Sequence, residues 1–256
     1  MDKSNWLPLN EVGNDFLNEV DRIINNESLF NNFKTNPIFN TVINNDNRGI
    51  DTVLPLYNYI KSYYPSLIDQ FPKFKSNDTI GNPPILNVDG HQISSGIVNF
   101  SYVLSDILLK IGDISNMSIV EIGSGYGGQA KIIQDYGCAK YTCIDIQPTL
   151  SLAKKYLDCF YPNNTYVSYP ELSGLDEQYD LVISNWCVSE FSDELFQEYI
   201  DKVISKCKYG FFWSNLWDAN RKQIFKNKLS NVFNKVEEYP AVLKTHPNYL
   251  LITKRV

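Results

Sequence analysis

Histidine is nearly absent from this 256-residue chain: only His91 and His246 are available for work near neutral pH. The five cysteines, at 138, 143, 159, 187 and 207, form an odd set without a C-x-x-C pair, which argues against a disulfide framework or a zinc site. Cys143 and Cys187, at strand-like or post-strand positions, read as small buried hydrophobes, and Cys187 lies beside the expected cleft. No apolar run approaches the roughly 20 residues that span a membrane. The start, Met1 to Trp6, lacks a basic stretch followed by an apolar one, so a cytoplasmic location is expected. No block of Lys or Arg forms a basic stripe. With a net charge of −6 and a pI near 5.0, the surface repels phosphate backbones and no nucleic-acid partner is expected. No internal repeat is present.

What the chain does have is glycine, concentrated in one place. Residues 118–130, SIVEIGSGYGGQA, run from a short apolar segment into a glycine cluster and then an amphipathic stretch. That order predicts strand, tight turn and helix. Glycines remove Cβ atoms where backbone must bend and approach a ligand, and the helix N-terminus beyond them attracts polar or anionic atoms. Gly123, Gly125 and Gly128 satisfy the dinucleotide pattern G-x-G-x-x-G. Glu121, Gly123, Gly125 and Gly127 equally satisfy E-x-G-x-G-x-G, the loop of methyltransferases that use S-adenosylmethionine. Glycines alone leave both open.

Three features tilt the reading toward methyl transfer. Glu121 stands two residues before the first glycine, where such enzymes place a carboxylate near the methionine ammonium. The loop begins more than a hundred residues into the chain, late for a dinucleotide domain. A second signature lies downstream, in 179–191, YDLVISNWCVSEF, where a buried strand ends at Asn185 and Trp186. Ligands of open α/β sheets sit beyond the carboxyl ends of strands, so Asn185, Trp186 and Glu190 are expected at the cleft. Asp145 ends the run KYTCIDI, 22 residues after Gly123 (145 − 123), where a carboxylate accepts hydrogen bonds from ribose hydroxyls in either cofactor class.

The elements EIGSGYGGQ, SNWCVSEF and the earlier Ile80-Gly-Asn-Pro83 together resemble the sugar O-methyltransferases of polysaccharide and natural-product pathways, from about Gly81 to the C-terminus. The resemblance implies S-adenosylmethionine as cofactor, held by Glu121, Gly123, Ser124, Gly125, Tyr126, Gly127, Asp145, Ile146, Asn185 and Trp186. It also implies a sugar hydroxyl as acceptor. Such a hydroxyl is a poor acid, and His246, His91 and Glu190 are the candidate bases. Some sugar methyltransferases hold Mg²⁺ with carboxylates after the fourth and fifth strands. Glu190 and Asp218 occupy roughly such places, but two carboxylates do not make a site, and no metal is assigned.

Alternation continues to the C-terminus, with strands at 165–168 and 209–214, helices over 191–207 and 218–233, and a strand pair at 236–242 and 249–253. The expected fold is α/β, a Rossmann-like seven-stranded sheet with a terminal antiparallel hairpin. Residues 1–115 form a mainly helical cap or lid and 116–256 the cofactor-binding core. The rival readings are a methyltransferase for an amine, carboxylate or other metabolite, an NAD(P)-dependent oxidoreductase, and a catalytically silent cofactor-binding partner. The terminal hairpin separates the methyltransferase readings from the oxidoreductase.

Overall fold

The computed structural model describes residues 13–169, 171, 172, 175, 177–215, 219–242 and 249–255. Helix α1 (Gly13–Asn25) opens the described chain, and its apolar stripe of Phe16, Val20 and Ile23 is buried. Helix α2 (Glu27–Phe30) starts at Asn26, whose side chain accepts the Leu29 amide at 3.1 Å. Two 3-10 turns and a loop lead to α3 (Ile50–Tyr63), and a further 3-10 run joins it to α4 (Phe71–Phe74). The segment that follows departs from the helical expectation. It is a hairpin of β1 (Ile85–Val88) and β2 (His91–Ser94), turned by Asp89 and Gly90 with φ of +52° and +88°. Helix α5 (Ser95–Lys110) completes the cap and is capped by the Ser94 hydroxyl.

The core then alternates: β3 (Ser118–Ile122), α6 (Gly128–Tyr136), β4 (Lys140–Asp145), α7 (Thr149–Leu157), β5 (Thr165–Ser168), β6 (Tyr179–Asn185), α8 (Asp193–Lys202), β7 (Cys207–Ser214), α9 (Ala219–Ser230), β8 (Lys235–Pro240) and β9 (Tyr249–Lys254). The sheet order is β5-β4-β3-β6-β7-β9-β8, with β9 antiparallel to both neighbours and the first five strands parallel. This is the Rossmann-like seven-stranded sheet expected from the sequence, terminal antiparallel hairpin included. Helix α8 is shorter than its apolar period suggests. Ser192 caps its start, and after Val203 a 3-10 turn leads straight into β7. Strand order reverses between β3 and β6, so a crevice opens at their carboxyl ends.

Side chains alternate across the sheet. Ile119, Leu181, Ile183, Phe211 and Trp213 belong to one buried cluster with the cap, α6 and α7, while Val120, Ile122, Val182 and Phe212 pack with α8 and α9. Cap and sheet therefore share a continuous hydrophobic core. Among the described residues no helix is long and apolar enough to cross a membrane.

A buried polar cluster fixes the cap on the glycine loop. The Tyr126 hydroxyl donates to Asp46 Oδ2 at 2.5 Å, and Lys34 Nζ lies 3.9 Å from Asp46 Oδ1. Lys34 also donates to the Asn77 carbonyl at 2.5 Å and sits 5.0 Å and 5.2 Å from the ring centres of Tyr126 and Tyr156. Burial pushes the Lys34 ammonium down and the charge of Asp46 opposes it. Tyr126→Phe removes one donor and leaves a buried carboxylate oxygen short of a partner, at a cost of about 1–3 kcal/mol. Urea unfolding of the variant checks this, and an unchanged midpoint would mean that the hydrogen bond contributes nothing to holding the cap.

Candidate active site

The loop after β3 is shaped from both sides. Gly123 and Gly125 have φ of +79° and +56°, the left-handed region that side chains rarely adopt. A Cβ on Gly123 would stand 2.3 Å from Cys187 Cβ, so the cysteine following β6 packs directly on bare backbone. One on Gly125 would stand 3.3 Å from Ile43 of the cap. Asp145, at the end of β4, is buried and accepts the Gly125 amide at 2.8 Å and the Ile146 amide at 2.7 Å. It holds the loop, and each oxygen keeps a lone pair for a ligand hydroxyl. Burial pushes its carboxyl up to about 7 against the pull of those two amides.

Glu121 is buried on β3 beneath the loop, its Oε2 accepting the Tyr141 hydroxyl at 2.9 Å. Burial pushes it up to about 8, Tyr141 pulls it back, and the Asp145 charge adds to the rise. Beyond β6, Trp186 has φ of +60°, a strained conformation for a bulky residue. Its amide donates to the Trp213 carbonyl at 2.6 Å and its ring lies 4.3 Å from that of Trp213. Glu190 closes the short 3-10 turn that follows. Burial raises its carboxyl, while the Asn215 side chain and the Arg221 charge oppose the rise.

One cavity of about 230 Å³ joins these groups: Glu121, Gly123, Ser124, Gly125, Tyr126, Asp145, Ile146, Asn185, Trp186, Cys187 and Glu190 all line it. Of the predicted cofactor residues only Gly127 does not, being turned toward Leu157. Tyr126 lines the cavity, and Lys34 Nζ lies over its ring, 5.0 Å from the centre. The two histidines fare differently. His91 does not reach the cavity and packs with its ring 6.3 Å from Tyr57 and 5.5 Å from Phe71. His246 and Asp218 lie outside the described residues. Among the described residues no three metal-ligating side chains gather.

The cap supplies lining that sequence reasoning missed: Ile43, Asn44, Asn45, Arg48 and Phe100. They lie far from the glycine loop in sequence, and no motif marks them. Gln129 and Thr149, at the starts of α6 and α7, were legible only by their place after the glycine and acidic signals. Gln129 Oε1, Thr149 Oγ1 and Asn185 Oδ1 are buried here without hydrogen-bond partners among the described residues. Native interiors rarely tolerate such atoms, so a polar ligand fits the lining better than an empty core does.

No protein-family model matches the sequence, and no curated protein matches it. Solved structures do. Magnesium protoporphyrin IX methyltransferase from Synechocystis PCC 6803, with bound S-adenosylmethionine, is 15% identical, with 82% of this chain and 100% of that chain covered at a TM-score of 0.48. An rRNA methylase from Streptococcus thermophilus is 16% identical over 56% of this chain and 89% of its own, at 0.44. Mitomycin 7-O-methyltransferase is 14% identical over 62% of this chain and 57% of its own, at 0.44.

The buried carboxyls set a pH dependence for the protein without ligand. Glu121 and Asp145 hold protons in the fold up to about 8 and 7, above their ordinary 4.5 and 3.8. Between those values the unfolded chain binds fewer protons than the native one, so stability falls as pH rises through the window. The thermal midpoint is expected to be lower at about pH 8 than at about pH 6, and Glu121→Gln to flatten the slope. A midpoint that rises over that range, in the wild type alone, would contradict the burial assigned to Glu121.

Proposed function

We propose that this chain is an S-adenosylmethionine-dependent methyltransferase acting on a hydroxyl of a small molecule, a sugar or sugar conjugate. The observation that carries the reading is the cavity itself. A left-handed glycine loop pinned by Asp145, with acidic Glu121 beneath it and unpartnered acceptors around it, suits a nucleoside that bears positive charge. Asp145 would take the ribose hydroxyls, Asn185 Oδ1 and Glu121 the ammonium, and the backbone of Gly123 to Gly125 the body of the cofactor. When bound, the cofactor supplies an electrophilic methyl group. The chain's task is then alignment and proton removal, and alignment is the larger contribution, roughly 7–11 kcal/mol against about 3–5 for a base.

Glu190 is the base that the geometry favours, because it shares the cavity with Asn185 and Trp186 and its affinity for a proton is raised by burial. The sugar acceptor rests on the likeness of the Gly-Tyr-Gly-Gly loop and of Ser189-Glu190 to the sugar O-methyltransferases. The acidic charge favours a small acceptor over RNA. A carboxylate or amine acceptor is the alternative within the same class, and substrate profiling separates them.

Thermal unfolding with S-adenosylhomocysteine, NAD⁺ and NADP⁺ tests the cofactor. A ligand at a hundredfold excess over Kd stabilises by about 2.7 kcal/mol. The shift is expected with the homocysteine compound alone and to shrink in Asp145→Ala; a shift only with a nicotinamide ligand would overturn the reading. For the base, Glu190→Gln is expected to lower kcat on the acceptor found by about 10²–10⁴-fold with cofactor affinity unchanged. Turnover in the wild type should fall as pH drops through the raised pKa of Glu190, since only the ionised form accepts a proton. Near-normal kcat in the variant would move the role elsewhere, with His246 next in line.

A further inference from the structure

Arg48 is a cation in an acidic cavity. Three carboxylates line that space, at Glu121, Asp145 and Glu190, and Arg48 is the one Lys or Arg among the described lining residues. No carboxylate of the described residues stands within ion-pair distance of its guanidinium. Asp46, two positions earlier, makes its direct contacts with Tyr126 and Lys34, and reaches Arg48 only through its charge, which opposes the lowering of the guanidinium's pKa by burial. Of its five N–H donors, Nε reaches the Asn44 carbonyl at 3.1 Å. The contacts to Asn99 Oδ1 and Asn45 Oδ1 are both 3.4 Å, beyond the usual N–H···O range.

The group is nonetheless held in place. Its guanidinium carbon lies 5.1 Å from the centre of the Trp186 ring, and the Arg48 amide donates to Ser95 Oγ at 3.0 Å, which in turn donates to the Asn45 carbonyl at 2.8 Å. An arginine held over an indole face and by its backbone, with much of its fork lightly used, is arranged for a planar anion.

We propose that Arg48, flanked by Asn45 and Asn99 over the Trp186 face, is the subsite for the α-carboxylate at the amino-acid end of the cofactor. This rests on the S-adenosylmethionine reading above. That end is a zwitterion and needs an acceptor and a cation close together. Trp186, whose ring lies under the Arg48 guanidinium, directly follows Asn185, whose Oδ1 is buried without a partner among the described residues. From the other side, Asn99 precedes Phe100, whose ring covers Gly128 at the end of the glycine loop. Arg48 thereby links the end of β6 to the end of the glycine loop.

Titration calorimetry of the full chain tests this with two ligands, S-adenosylhomocysteine and 5′-methylthioadenosine, which shares the nucleoside but lacks the amino acid. Arg48→Gln is expected to weaken S-adenosylhomocysteine by roughly 10- to 100-fold and to leave methylthioadenosine within about twofold. Arg48→Lys, which keeps the charge but not the fork, should fall between. Binding of methylthioadenosine reports that the variant is folded, and the lysine variant carries the comparison if the glutamine one is not. Equal weakening of both ligands, as a purely structural arginine would give, overturns the subsite, and so does unchanged affinity for both. If wild type binds methylthioadenosine but not S-adenosylhomocysteine, the cofactor reading itself fails, which is a different result.

Discussion

The hydrogen bond from Tyr126 to Asp46 adds a fixed polar tie to two segments that otherwise meet only through apolar packing. Tyr126 stands inside the glycine loop and Asp46 in the cap, 80 positions apart. Gly125, on one side of the tyrosine, approaches Asp145, and Asn45 and Arg48, around the aspartate, line the cavity. One contact therefore sets both the floor and the roof of the site. Burying a carboxylate and an ammonium costs several kcal/mol per ion unless each is hydrogen-bonded, and here Tyr126, Asn77 and the ring faces of Tyr126 and Tyr156 supply that compensation. The tyrosine is thus more than a filler of the loop. Without it the cap would keep its apolar packing, but the 44–48 segment would lose its anchor over the glycines.

The parts of the fold that were legible in the sequence are those coded by local pattern. The strands at 118–122, 140–145 and 179–185 are short apolar runs, each ending in a glycine, an acid or an asparagine, and all three are present with those ends at the crevice. Helix α8 was overextended because residues 203 to 207 continue its apolar period, which cannot report the backbone switch at Val203. The Asp89-Gly90 turn is a short hairpin signal set inside an otherwise helical segment, where the surrounding helical periodicity masks it. Arg48 was invisible for a different reason. It is one of four arginines, set in an asparagine-rich loop with no periodicity, and its meaning comes only from Trp186 and Asn99, more than fifty residues away. His91 shows the reverse error, a residue noticed for its chemistry whose ring is taken up by packing against Tyr57 and Phe71.

The three cavity carboxylates are alike in being raised by burial and differ in what opposes the rise. Asp145 is met by two backbone amides, which neither move nor titrate, so it can both brace the loop and accept from a ligand. Glu121 is met by one phenol, Tyr141, itself buried and with its own proton held tightly. A carboxyl in that setting stays neutral until a cation arrives to offset desolvation, and the low local dielectric then makes the attraction stronger than it would be in water. Glu190 is met by the Asn215 amide and the more distant Arg221, a softer environment near the cavity wall where a proton can be taken up.

Environments that separate similar groups are how one site assigns different roles to one kind of side chain. On the proposed reading, the fixed amides suit ligand holding at Asp145, the enclosed phenol suits contact with a cation at Glu121, and the side-chain partners suit proton transfer at Glu190. Arg48 adds the complement. Among described lining side chains that offer no other cation, Arg48 over the indole face gives negative charge one place to settle and so sets the direction in which a zwitterion would lie.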